Sequence, residues 1–400
     1  MTDTSHKPAG SGRGTARDIF AAFLKLGLTS FGGPVAHLGY FREELVRRRH
    51  WLSEDAYANL VALCQFLPGP ASSQVGMAIG LMRGGPLGIA AAWLGFTLPS
   101  ALLMLTFAYG ATTIGMAGGW LDGLKIAAAA IVADAVIGMA RNLCPDRARR
   151  TLALVAAAFA ASVPGSLGQI AMIVGGGMIG LALLRVEGKA VQTPPGHLPS
   201  RTASLVAFAV FTVLLAGLPL LAAVTGNAGV GLFDTLYRAG SLVFGGGHVV
   251  LPLIEAELVH PGGLTREAFL AGYGAVQAVP GPLFSFAAYV GAIGPAPNGV
   301  AGACIALVAA FLPSALLVYA ALRFWTRLAN DDRIRNAMAG INAAVVGLLG
   351  AAFWDPVVTS SITSGLALAI GLLAYGALAL WRVPAWAVVV GAALAGAALL

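Results

Sequence analysis

Two basic residues stand inside apolar stretches, where a charge is costly. Lys25 lies in the run 18–36, and Arg238 lies in a similar run of the second half; each is followed closely by Phe-Gly-Gly, at Phe31-Gly32-Gly33 and at Phe244-Gly245-Gly246. A cation in a membrane segment costs about 2.5 to 3.5 kcal/mol on insertion scales, so it normally faces a cavity or a partner. Two cations at matching positions suit a divalent anion. A second pair of breaks, Pro68-Gly69-Pro70 and Pro280-Gly281-Pro282, is preceded by Gln65 and Gln277 and followed by Ser72 and Ser73 in one case and Ser285 in the other. Proline removes a backbone donor and glycine supports no helix, so these breaks create half-helices. The N-termini of half-helices present N–H groups and partial positive charge to anions. Serine hydroxyls and the amides of Gln65, Gln74 and Gln277 add neutral donors. A plainer reading stays open: Lys25 and Arg238 snorkel to opposite surfaces, and the breaks serve close helix packing.

Other ionisable residues are less telling. Asp134, within the apolar run 126–140, has no matching acid in the second half. It is either a carrier of a coupling proton, a partner for a basic residue, or an interfacial charge. His37 and His248 flank the glycine motifs at non-equivalent positions and have no His, Cys or carboxylate at metal-ligand spacing. Glu43 and Glu44 stand four residues before Arg47 and Arg48, the spacing of a solvated amphipathic helix. No metal or cofactor is expected. A Gly-x-x-x-x-Gly-Lys phosphate loop is absent, and no paired acids occur at membrane depth, so neither ATP hydrolysis nor an intramembrane enzyme is expected.

The elements that must hold these residues are apolar helices. Of 400 residues, 58% are hydrophobic and 10% charged, which no soluble chain could cover with polar surface. The 53 glycines and 21 prolines are tolerated in transmembrane helices, where neighbours satisfy the freed backbone groups. Runs at 87–110, 120–140, 168–184, 202–223, 299–322, 337–353, 358–380 and 384–400, with a shorter one at 151–163, make roughly nine crossings. The stretches 18–36 and 56–82 read as broken. Six tryptophans, Trp51, Trp120, Trp325, Trp354, Trp381 and Trp386, fall near the ends of the runs. The expected class is an all-α polytopic membrane protein. Its net charge of +7 sits in short clusters such as Arg47-Arg48-Arg49 and Arg147-Ala148-Arg149-Arg150, a topology signal that does not call for nucleic acid. Residues 1–17 read as a cytoplasmic tail with no apolar signal-peptide core. Cys64, Cys144 and Cys304 lack paired spacing and read as small fillers.

The motifs repeat. Phe-Gly-Gly recurs at an offset of 213, Gln with Pro-Gly-Pro at 212, and Leu98-Pro99-Ser100-Ala101-Leu102-Leu103 as Leu312-Pro313-Ser314-Ala315-Leu316-Leu317 at 214. Lys25 and Arg238 share the Phe-Gly-Gly offset. Two tandem halves are expected, 18–186 and 231–400, joined by a linker at 187–230 that holds one extra span. Loop charge sets their orientation: Arg42, Arg47, Arg48 and Arg49 lie in 37–55, against Arg266 and three glutamates in 249–267. Matched loops of opposite sign mean opposite insertion under the positive-inside rule, so the halves are expected to be inverted repeats, as in many secondary transporters.

Taken together, Lys25-Leu26-Gly27, Phe31-Gly32-Gly33, Trp51-Leu52-Ser53-Glu54, Gln65-Phe66-Leu67-Pro68-Gly69-Pro70-Ala71-Ser72-Ser73-Gln74, Phe244-Gly245-Gly246-Gly247-His248-Val249-Val250-Leu251-Pro252-Leu253 and Gln277-Ala278-Val279-Pro280-Gly281-Pro282 resemble the chromate ion transporter family in its long, two-domain form. The resemblance covers nearly the whole chain, departing where Gly262-Gly263 replaces His50-Trp51. It implies a multi-pass inner-membrane exporter of chromate, a tetrahedral dianion close to sulfate in shape and charge, that confers chromate resistance. A sulfate or other small-anion carrier and an anion channel of the same fold remain alternatives. The expected partners are chromate or sulfate and the lipid bilayer, with a homodimer left open.

Overall fold

The computed structural model describes residues 14–114, 118–163, 166–186, 198–244, 250–259, 263–325, 327 and 330–400. Among these the regular structure is helical throughout. Five stretches are long and apolar enough to cross a bilayer: Ala71–Gly110, Gly119–Leu143, Arg201–Thr225, Gly299–Ala321 and Asp332–Ser361. Many large apolar side chains point outward, among them Leu102, Leu103, Leu154, Val213, Leu220 and Leu372. Exposed apolar surface on that scale belongs against lipid, and the chain is a multi-pass membrane protein.

Both stretches expected to be broken are broken. Helix α1 (Ala16–Thr29) ends at Ser30 and restarts after Gly32 as α2 (Gly33–Phe41), which continues into a π-helical turn, Arg42–Arg48. After α3 (Glu54–Phe66) the Pro-Gly-Pro segment is extended, and α4 (Ala71–Ile114) begins. That helix does not run straight. Gly85 has φ +64°, a conformation open to glycine at little cost, and a Cβ on Gly80 would lie 2.2 Å from the carbonyl oxygen of Gly88. Helix α4 therefore folds back on itself, and only the limb after Gly85 has the length of a span.

Next come α5 (Gly119–Leu143), α6 (Arg147–Ser162), α7 (Ser166–Leu183) and the peripheral α8 (Arg201–Thr225). The second set of motifs lies on α9 (Ala228–Leu242), α10 (Val250–Leu258), α11 (Arg266–Val276), a 3₁₀ turn Leu283–Ser285, α12 (Phe286–Ile293) and α13 (Gly299–Ala321). The pair α12 and α13 repeats the folded-back α4: Gly299 also has positive φ, and Gly291 meets the Gly302 carbonyl as Gly80 meets Gly88.

The chain closes with α14 (Asp332–Ala352), α15 (Gly365–Ala379) and α16 (Ala385–Leu399). The run 358–380, expected as one span, is split. A π-helical turn with Pro356 precedes Ile362, and Ser364 caps a new helix by accepting the Ala367 N–H. At 15 residues, α15 is about 22 Å long, short of the roughly 30 Å hydrocarbon core. Trp325 also differs from its expected place at a membrane edge: it is buried, its ring edge-on to Phe66. Trp354, Trp381 and Trp386 are exposed.

Packing partners are exchanged between the two motif sets. Helix α5 packs on α16 and α15, whereas α14, its counterpart by the Phe-Gly-Gly offset, packs on α6 and α7. Small residues allow the approach: Gly119 and Gly123 lie against Gly396 and Ala392, and Gly340 against Gly176 and Gly180.

Candidate functional site

The two Pro-Gly-Pro breaks meet, crosswise, the residues that precede the two Phe-Gly-Gly motifs. The N–H of Gly69 donates to the carbonyl of Val243 at 2.6 Å, and the N–H of Gly281 donates to the carbonyl of Ser30 at 2.9 Å. Ser30 and Val243 are the residues immediately before the two Phe-Gly-Gly motifs. Each break of one motif set is thus closed by a carbonyl of the other. The Leu-Pro-Ser segments join the same junction in the same crosswise way. A Cβ on Gly69 (φ +126°) would lie 2.3 Å from Ser314 Oγ, and one on Gly281 (φ +100°) 2.9 Å from Ser100 Oγ. At both positions glycine meets a backbone conformation and a close approach that a side chain would obstruct.

This geometry redistributes the donors expected from sequence. The Gly69 and Gly281 amides already serve carbonyls in this state. Pro70, Pro280 and Pro282 are buried and Pro68 half-buried, with the Pro68 carbonyl accepting from Gln74 Nε2 at 2.6 Å. Ser285 Oγ donates to the Pro282 carbonyl at 2.8 Å, and Ser72 Oγ lies 3.3 Å from His37 Nδ1. The buried atoms left without a hydrogen-bond partner include Ser30 Oγ, Ser73 Oγ, Gln74 Oε1, Thr97 Oγ1, Ser314 Oγ and Gln277 Nε2. A buried polar atom without a partner costs about 1 to 3 kcal/mol. Several on residues flanking one junction mark a place where a polar ligand has something to gain. Gln65, at the position matching Gln277, is exposed. Gly32 and Gly33 shape the turn into α2 with φ of +97° and +79°; Gly245, Gly246 and His248 lie outside the described residues.

The two expected cations are both ion-paired, with matching partners. Lys25 Nζ donates to Glu44 Oε2 at 2.7 Å; Arg238 grips Glu257 through Nη1 at 3.0 Å and Nη2 at 3.1 Å. Each carboxylate stands 19 residues after its cation, so a single offset relates both members. Arg49 also donates to Glu44 at 2.9 Å, and Asp234 accepts from Arg238 Nε at 3.1 Å. Burial pushes the Glu44 carboxyl up, but hydrogen bonds from Lys25 and Arg49 outweigh this and hold it below the usual range. Sequence reading put Glu44 on a solvated helix and did not single out Glu257; equal spacing from the two cations was the available signal.

A second matched pair has its charges exchanged. Arg42 donates to Glu54 at 2.6 Å, while at the corresponding positions Glu255 lies 3.3 Å from Arg266. The ion-pair cluster around Lys25 joins five cations (Lys25, Arg42, Arg47, Arg48, Arg49) to three carboxylates. Around Arg238 and Arg266, two cations meet four carboxylates (Asp234, Glu255, Glu257, Asp355). Asp134 is exposed on α5 and pairs with no cation among the described residues. Nor do the described residues contain a cluster of three His, Cys, Asp or Glu side chains fit for a metal.

Broken helices closed by crosswise contacts, unpaired polar atoms beside them and ion-paired cations in the adjoining helices define a membrane protein of the transporter type. The family model described as "Chromate transporter" matches residues 17–181 and 230–397, and the chain belongs to that family. It is 32% identical over 369 residues to the chromate transport protein of Pseudomonas aeruginosa, covering 89% of this chain and 85% of that one. It is 29% identical over 341 residues to the probable chromate transport protein of Synechococcus elongatus (82% and 81% covered), and 26% identical over 341 residues to the chromate transport protein of Cupriavidus metallidurans (84% and 81%). No solved structure matches.

Proposed function

We propose that the chain is a secondary active transporter that moves chromate out of the cell across the inner membrane by alternating access between two inverted halves. The observation that carries this reading is the crosswise junction: two chemically matched closures, Gly69 to Val243 and Gly281 to Ser30, between elements that correspond in the repeat. Two equivalent closures around one polar spot are what a site open alternately to each side requires. The exchanged packing of α5 and α14 supports the inverted arrangement, and family membership supports the substrate.

In this mechanism the dianion lodges at the junction. Ser73, Ser314 and Ser30 hydroxyls and the Gln277 amide donate to it, joined by the first-turn amides of α4, which have no intrahelical acceptor. Lys25 and Arg238, freed from Glu44 and Glu257 in turn, supply the balancing charge, and Gly32 and Gly33 shape the turn that lets the backbone approach. The surplus of cations around Lys25 attracts the anion on the cytoplasmic face with the N-terminus, and the surplus of carboxylates around Arg238 repels it on the other, which favours export. No phosphate loop is present, so an ion gradient or anion exchange drives the cycle. Sulfate is the alternative cargo because its shape and charge are alike.

The test is flux in proteoliposomes with chromate and sulfate competing under imposed pH gradients. Saturable, uphill chromate movement that sulfate blocks only weakly is expected; non-saturating, strictly downhill flux would indicate a channel and overturn the proposal. Orientation is tested separately. Single cysteines replacing Arg48 and Ala256, in a background without Cys64, Cys144 and Cys304, are expected to label from opposite faces.

A further inference from the structure

Glu255 is a carboxylate for which the anion path has no use. Its side chain is 9% exposed, and its Oε1 is buried without a hydrogen-bond donor. Among the described residues the nearest cation, Arg266 Nε, stands 3.3 Å away but off the line a hydrogen bond needs, and the same arginine reaches Asp355 at 3.6 Å, where the carboxylate is 64% exposed. The other acids of the ion-pair clusters are better served: Glu44 takes hydrogen bonds from two cations, Glu54 from Arg42, and Asp234 and Glu257 from Arg238. Burying a charge without adequate donors favours the neutral form.

Among the described residues the surroundings contain little else that titrates. On α9, Asp234 and Arg238 are engaged with each other and with Glu257, which is on α10 itself. From α11 come Arg266 and the exposed Glu267, and Asp355 belongs to the turn after α14. Helix α7 has no ionisable side chain, and those of α14 (Asp332, Arg333, Arg335) sit in its first turn, at the end far from Asp355. Burial pushes the Glu255 carboxyl up to about 7; Arg266 opposes the rise and Asp355 adds to it. Its counterpart in the first half is Arg42, a permanent cation. The molecule thus holds a fixed charge at one position and a titratable one at its match.

We infer that Glu255 is a proton-binding site on the face opposite Arg42, and that a proton on it releases Arg266 to Asp355 and accelerates anion transport. The inference rests on the transporter reading above. The ligand is a proton from the outer solution; it forms one O–H bond on the carboxylate and leaves by the same bond, so no other reactant is needed.

The experiment uses the full chain in proteoliposomes, with pH varied only on the side reached by a label at position 256. Chromate flux in the unaltered protein is expected to fall about tenfold between pH 6 and pH 8, as for a group titrating near 7. Glu255→Gln is expected to hold the fast rate at every pH. Arg266→Gln is expected to move the midpoint up and Asp355→Asn to move it down, each by about one pH unit, the low end for a neighbouring charge. Both replace side chains that are well exposed, so they decide the matter even where Glu255→Gln does not fold. An unchanged pH profile in Glu255→Gln, or midpoints that do not move apart in the other two, overturns the inference. Infrared titration of the carboxyl in detergent needs no transport: a protonated carboxyl band with a midpoint near 7, lost in Glu255→Gln, is expected. If the unaltered protein moves no chromate at any pH, the transporter reading fails, and the infrared band still decides whether Glu255 binds the proton.

Discussion

Two kinds of ion pair are repeated in this chain, and they are repeated differently. Lys25 with Glu44 and Arg238 with Glu257 keep their order of charge, whereas Arg42 with Glu54 becomes Glu255 with Arg266. The first kind joins the helices that run into the junction to the helical segments beyond it; the second joins those segments to the start of α3 and of α11. On the transporter reading the contrast has one cause. A cation needed by a dianion is needed in both halves, while a charge that answers to the membrane face changes sign when the half is turned over. On that reading, position in the repeat fixes the pairing, and position relative to the membrane fixes the sign.

The largest effect that probes this contrast comes from the matched cations. Lys25→Gln and Arg238→Gln are each expected to abolish chromate efflux from everted vesicles while the chain still inserts; normal efflux in both sinks the paired-cation site. The two should differ in stability. Glu44 retains Arg49 when Lys25 is lost, but the buried Asp234 loses with Arg238 the cation that grips it. Leaving a buried carboxylate unpaired costs about 3 to 5 kcal/mol, so Arg238→Gln is expected to lower the melting temperature in detergent markedly more than Lys25→Gln. Equal melting temperatures would erase that asymmetry.

A smaller effect is expected from the serines that face the opposing glycines. Ser314→Ala removes a hydroxyl with no partner in the resting state, and a hydrogen bond to a charged group is worth about 1.5 to 3 kcal/mol. The expected result is a KM for chromate raised at least about tenfold with little change in melting temperature. Ser100→Ala also breaks a 2.9 Å bond to the Thr97 carbonyl, so it should lower stability slightly as well. An unchanged KM in both places the anion elsewhere.

The broken helices could be read from Gly and Pro alone, because a missing donor or side chain acts locally. The motif offsets named which residues correspond. Neither reading gave Glu44 and Glu257, Ser100 and Ser314, or Glu255 a place in the site. These residues gain meaning from contacts across long separations: Ser314 faces Gly69, and Glu255 shares Arg266 with Asp355. A repeat states which residues correspond, yet the exchange of Gly69 with Val243 and Gly281 with Ser30 appears only when both halves are folded. The splitting of 358–380 did have a local signal that the count of crossings passed over: Thr359-Ser360-Ser361 and Thr363-Ser364-Gly365 flank Ile362, a cluster of cap and turn residues, and Ser364 caps the helix that follows.

The smallest expected effect tests the correspondence where charge is absent. Ser53 accepts the N–H of Ala56 at the start of α3, and Thr265 accepts that of Ala268 at the start of α11, both at 3.2 Å. Replacing either with alanine should cost about 1 kcal/mol, read as similar small drops in melting temperature, with transport unaffected. Clearly unequal costs would show that the match in geometry is not a match in energy.

The exchanged packing also bears on how the protein is made. Helix α5 ends at Leu143, and one of its partners, α16, begins at Ala385, so the ribosome must add about 240 residues between them, on the order of ten to fifty seconds of synthesis. Throughout that interval the Gly119 and Gly123 face of α5 has only lipid or an insertion chaperone to rest against. A nascent chain cut short before α16 leaves the bilayer machinery holding an unmatched helix, which is the kind of surface that membrane quality control removes.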